Sequence, residues 1–125
     1  MRRAIPILLA VLLAFAAGLA VGQTKPRMWA DVVVEVTTDQ IPPRTHVRAH
    51  MDHWEPGAET GRHTHPGPVV FVMLDGELAE TLADGSQRTL KNGQAVWKPA
   101  RQTHNVKNVS DKPARALAVH LDPAR

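Results

Sequence analysis

The chain has no cysteine and no tyrosine, and only two phenylalanines and three tryptophans in 125 residues. Without a thiol there is no disulfide framework, no thiolate metal site and no cysteine nucleophile. So few aromatics argue against modules that stack bases on aromatic platforms, and no nucleic-acid partner is expected. A real excess of charge is missing too. The formal net charge is +3, but Arg2 and Arg3 supply two of the 15 basic residues. Without them 13 basic residues face 12 acidic ones, so a general attraction to polyanions is not expected. There is no glycine-rich phosphate loop, serine nucleophile elbow, paired-carboxylate arrangement, internal repeat or low-complexity tract.

What is present begins with a leader. Arg2 and Arg3 precede an uncharged run from Ala4 to Val21, which ends in Ala20-Val21-Gly22. A charged start, an apolar middle and a small-residue exit describe a secretory signal peptide, expected here as residues 1–22 with cleavage before Gln23. An uncleaved membrane anchor is the alternative, since 18 apolar residues nearly span a bilayer. Either way the rest is expected to be secreted or periplasmic, and any membrane contact to run through this segment alone.

Residues 23–44 read as a polar leader followed by a first strand, in which Val32, Val34 and Val36 alternate before Ile41-Pro42-Pro43 interrupts. A second strand is expected from Thr45 to Trp54. Three turn dipeptides follow, Asp75-Gly76, Asp84-Gly85 and Asn92-Gly93. They help to set off strand-length stretches at Val69–Leu74, Glu77–Leu82, Gln87–Leu90, Ala95–Lys98, Thr103–Val109 and Arg115–Leu121. No window beyond the leader carries a helical stripe, so the expected class is all-β, a sandwich or small barrel.

Seven histidines are the compositional anomaly. His63 and His65 are spaced i, i+2, so on extended chain both imidazoles reach one point. His104 lies 39 residues beyond His65. Three converging neutral imidazoles suit a divalent metal and leave coordination positions open.

These residues sit in two spaced motifs that resemble those of the cupin superfamily. Gly57, His63, His65 and Gly76 fit its first motif, and Gly93, Pro99, His104 and Asn108 fit its second. Arg101 stands where the second motif has glycine, and Val69 where the first has glutamate. The resemblance implies a single-domain jelly-roll barrel (double-stranded β-helix) over residues 45–121, with 122–125 as a tail. It also implies a divalent metal on His63, His65 and His104, and is compatible with a homodimer, since dimerisation through an outer sheet is common for cupins. Iron(II) is favoured, with zinc, manganese or nickel as alternatives, because three-histidine iron sites occur in cupin thiol and diketone dioxygenases.

Val69 shares odd parity with His63 and His65, so on regular strand it points where they point. Phe71 and Met73 continue that phase and are expected to line the pocket. His120 is left open: bulky filling would turn Leu117, Val119 and Leu121 inward, whereas a ligand cavity would take Ala116, Ala118 and His120. His53 shares the more apolar face of its strand with Val47, Ala49 and Met51, and is expected to be structural or to support a metal ligand. His46 and His50 are expected to face solvent. Asn108-Val109-Ser110 also reads as a glycosylation sequon, although its Asn belongs to the second motif. Function is expected to be that of an exported metal-binding cupin acting on a small organic molecule, with a dioxygenase-like oxidoreductase as the enzymatic form. Non-catalytic capture of a small molecule or metal is the alternative.

Overall fold

The computed structural model describes residues 25–125, so the signal-peptide expectation for 1–22 lies outside the described residues. Asp31–Arg125 folds as one unit. Its seven strands are β1 Thr45–Trp54, β2 Val69–Asp75, β3 Glu77–Leu82, β4 Gln87–Lys91, β5 Ala95–Lys98, β6 His104–Lys107 and β7 Ala114–Pro123. There is no helix among the described residues, and hence none long and apolar enough to cross a membrane. All paired strands are antiparallel, and they make two sheets, β1-β7-β2-β5 and β4-β3-β6. This is the all-β jelly-roll architecture expected of the sequence.

Alternation fills the space between the sheets. β7 turns Ala114, Ala116, Ala118, His120 and Asp122 inward, and β2 turns Val69, Phe71 and Met73 inward. With Trp54, Leu78, Leu90 and Val106 these apolar residues make the core. Ala118 is informative, because its small side chain, next to His120 on the inward face of β7, leaves room for the cavity that both line.

The expected strand at Val32–Val36 does not form. Val32, Val33 and Val36 are exposed, and among the described residues no strand lies alongside them. Alternation suggests a strand, but only a ladder stabilises one. At the other end, β7 runs to Pro123, two residues into the segment expected to be tail, and its Asp122 pairs with His46.

Two backbone features hold the histidine segments in place. Residues 57–63 run antiparallel to β6, with bridges Glu59↔Lys107 and His63↔His104. His63 and His104 exchange reciprocal N–H···O bonds of 2.9 and 3.0 Å, which lock the two motifs together. The chain then passes close to β7 at Gly67, where an added Cβ would lie 1.9 Å from the Leu121 carbonyl oxygen. Only glycine permits that approach.

Arg101 has φ of +60°, the left-handed region, and is the non-glycine residue that does so among the described residues. Its N–H donates to the His65 carbonyl at 2.8 Å. Such a conformation costs a side-chain-bearing residue ~1–2 kcal/mol, partly offset by the extra freedom glycine brings to the unfolded chain. Arg101→Gly should therefore raise stability by about 0.5–1 kcal/mol in urea unfolding; a loss would show that the arginine side chain contributes more than its backbone strain costs.

Candidate metal centre

His63, His65 and His104 come together. Their rings pack pairwise with centroids 4.8, 4.5 and 5.1 Å apart. One ring nitrogen from each lies within 4.8 Å of the other two. His63 Nδ1 lies 2.9 Å from the Gly61 carbonyl, which can only accept, so Nδ1 carries the proton and Nε2 bears the lone pair. That Nε2 is 3.2 Å from His65 Nε2. Bonds of ~2.0–2.1 Å to one ion at about 90–109° would separate two such nitrogens by about 2.8–3.4 Å. The donor set therefore fits a divalent metal: three imidazoles, one tautomer fixed by backbone, and a spacing that needs little adjustment.

His104 is buried, and its Nδ1 faces Glu80 Oε1 at 4.0 Å without a hydrogen-bond partner, leaving Nε2 for the cluster. Glu80 is wholly buried and is held by Lys98 on Oε1 and Arg88 on Oε2. Burial pushes the Glu80 carboxyl up, but Lys98 and Arg88 outweigh it and hold it below the usual carboxylate value. Burial lowers Lys98, with Glu80 opposing. Lys98 Nζ also sits 4.5 Å over the Phe71 ring. The acid nearest the triad is thus already neutralised by two cations, and the triad itself contains no carboxylate.

The triad opens into a cavity of about 290 Å³. Val69 and Phe71 line it as expected; Met73 does not, being packed in the core at 1% exposure. His120 faces inward, is buried, and has its ring 4.9 Å from that of His65. His53 is corrected. It is exposed on the outer face of β1 and does not line this cavity, so it supports no ligand. His50 is corrected in the opposite sense, since it lines the cavity and packs 4.7 Å from His120. The inner face of β1 is Arg48, His50, Asp52 and Trp54, so a mostly polar set faces the cavity. Trp97 lies between inward-facing residues on β5 and does not line the cavity. Asn108 is fully buried; its amide nitrogen donates to the Trp54 and Lys112 carbonyls and its oxygen accepts from Ser110. It organises the β6–β7 turn, which is no accessible glycosylation site.

Registry puts Val69 in a telling row. Its ladder partners are His120 on β7 and Lys98 on β5, and Arg48 on β1 is opposite His120. A carboxylate at 69 would sit among the triad, His120 and Lys98. Val69→Glu should raise zinc affinity about tenfold or more by supplying an anionic ligand, while lowering the stability of the metal-free protein, because the site is buried. Unchanged affinity in a zinc titration would mean that position 69 does not address the triad.

Burial, with the neighbouring His120 and His63, lowers His65 to about 4; burial and then Lys98 lower His104 to about 4, against a usual 6.5. Both folded values lie below the unfolded value, so the unfolded chain takes up protons first. The metal-free protein should lose stability as pH falls from about 6.5 toward about 4, read as a falling thermal midpoint. A flat midpoint over that window would contradict the burial of these rings.

Two antiparallel sheets with a cluster of three imidazoles able to hold a metal ion define a β-barrel with a ligand-sized cavity. Residues 50–120 match the family described as the cupin domain, and the chain belongs to that family. The Beta-alanine degradation protein BauB of Pseudomonas aeruginosa is 46% identical over 57 residues, covering 44% of this chain and 60% of that protein. The match therefore spans less than two thirds of that relative. A solved cupin domain from Bordetella pertussis is 28% identical with a TM-score of 0.55, over 70% of this chain and 92% of that one. A conserved protein of unknown function from Streptococcus pyogenes shares the fold at TM-score 0.58 and 23% identity, over 85% of this chain and 99% of that one.

Proposed function

We propose that this cupin is an exported protein that holds a divalent metal on His63, His65 and His104 and acts on a small anionic organic molecule as a dioxygenase-like oxidoreductase. Iron(II) is the favoured ion, with zinc, manganese and nickel as alternatives. The observation that carries the reading is the composition of the cluster: three imidazoles within 4.8 Å and no carboxylate among them. Neutral ligands leave the ion's charge uncompensated, which favours an anionic chelating substrate. When bound, iron(II) supplies Lewis-acid polarisation of the chelated substrate and electrons for dioxygen chemistry.

The chain's own residues do the rest. Val69, Phe71, Val106 and Ala118 wall the cavity with apolar surface and limit water, strengthening the electrostatics inside. Gly61 fixes the His63 tautomer, and Arg101 holds the His65 backbone. The Pseudomonas relative is named for degradation of beta-alanine, itself a small carboxylate, which supports a small acid as the substrate class. Export rests on the Arg2-Arg3 start and the apolar run that follows.

The test is the metal content of the purified protein together with oxygen uptake on a panel of enolisable acids, diketones and thiol acids. Iron with oxygen consumption is expected. Zinc or no metal, with no uptake, would overturn the reading. One observation favours a non-catalytic alternative, capture of the same ligand without turnover: the buried acid and base near the triad, Glu80 and Lys98, neutralise each other. Saturable binding without turnover would establish it.

A further inference from the structure

We propose that Arg48 forms a second anion subsite at the mouth of the cavity, so that the ligand class is a short organic acid with two ends: one for the metal triad and a distal carboxylate for Arg48. This deepens the metal-centre reading and rests on it. Arg48 is on the inner face of β1, opposite His120 in the ladder. It lines the inner cavity and also an outer cleft of about 770 Å³. His65 likewise lines both, so Arg48 and a triad histidine border the inner cavity and the outer cleft alike. The guanidinium thus borders the same cavity as the triad, where it can meet the far end of a ligand held there.

The charges in the cleft suit an anion. Arg44 and Arg48 line it, against one acidic side chain, Asp122. Asp122 is already engaged: Oδ1 accepts from the Gly67 N–H at 3.3 Å and Oδ2 from Arg48 Nη2 at 3.4 Å. That long contact orients Arg48 without consuming it, because a guanidinium has five N–H donors. Half of the Arg48 side chain remains exposed. A planar fork fixed on one edge matches one carboxylate on the other. The other cation of the inner cavity, Lys98, is held by Glu80 and is not free for this role.

An inner cavity of about 290 Å³ limits the span between the two ends to a short chain. Succinate and its half-amide succinamate have the same length and differ in one carboxylate. Calorimetry on the zinc-loaded protein should show succinate binding at least about tenfold more tightly than succinamate. Arg48→Gln should bring that ratio to about one and leave zinc affinity unchanged. A ratio near one in the wild type, or a ratio preserved in Arg48→Gln, would overturn the proposal. The zinc-free protein separates the two readings. Should zinc not bind at all, the metal reading falls, yet succinate should still shift the backbone amides around Arg48 and His65, and Arg48→Gln should abolish those shifts. Equal shifts in both proteins, or none in the wild type, would reject the subsite independently of the metal.

Discussion

Lys98→Met is expected to destabilise the protein by about 3–5 kcal/mol, the range found when one partner of a buried ion pair is removed. Glu80 is fully buried, and Lys98 is 2% exposed. Removing the ammonium leaves Glu80 with Arg88 alone, whose side chain is 37% exposed. The carboxylate must then stay charged with half its partners or take up a proton. Lys98→Met also removes the cation over Phe71. The companion double variant Glu80→Leu/Lys98→Met separates pairing from packing: with no stranded charge it should recover most of the loss. Denaturant unfolding of the three proteins decides. A Lys98→Met loss under about 1 kcal/mol would mean that the pair is far more hydrated than its burial indicates. The same variant should alter zinc affinity by about 10–100-fold, because Glu80 stands 4.0 Å behind His104 and a ligand's supporting carboxylate tunes it.

The strands could be read from the sequence because turn dipeptides punctuate short alternating runs; β3 and β5 have the expected bounds, Glu77–Leu82 and Ala95–Lys98. The histidine triad was legible for the same reason, two motifs whose spacing survives intact. The lining of the cavity was harder. On β1 the apolar set, Val47, Ala49 and Met51, faces out, and the polar set, Arg48, His50 and Asp52, faces in. The inside-apolar rule fails where the inside is a ligand cavity. Trp54 shares the phase of the polar set and was the available clue. β7 repeats the inversion, with Leu117, Val119 and Leu121 outward and Ala116, Ala118 and His120 inward. The Glu80–Lys98 pair left no local trace, since it joins two sheets 18 residues apart in sequence. Val32–Val36 misled because alternation records what a strand needs on its faces and says nothing about a neighbour along its edge.

His104→Ala should lower zinc affinity by more than about a hundredfold, since even loss of a ligand's supporting partner costs ~10–100-fold. The alanine keeps the reciprocal backbone bonds with His63, so the two motifs stay joined and the change falls on the imidazole. His63 and His65 would remain, 3.2 Å apart at Nε2, as a two-nitrogen chelate with no third donor of their own group. A cavity in a buried site costs stability as well, and His104→Leu, which refills the volume without a ligand nitrogen, isolates that contribution. Both variants should lose zinc affinity alike, with the leucine variant the more stable when metal-free. Zinc should raise the wild-type thermal midpoint strongly and these variants' midpoints little, because an ion stabilises the fold only as far as it prefers the folded state. Full zinc affinity in His104→Leu would place the ion away from the triad. Removing the ligand must abolish the metal-dependent rise in stability if the β6 imidazole, His63 and His65 share one ion.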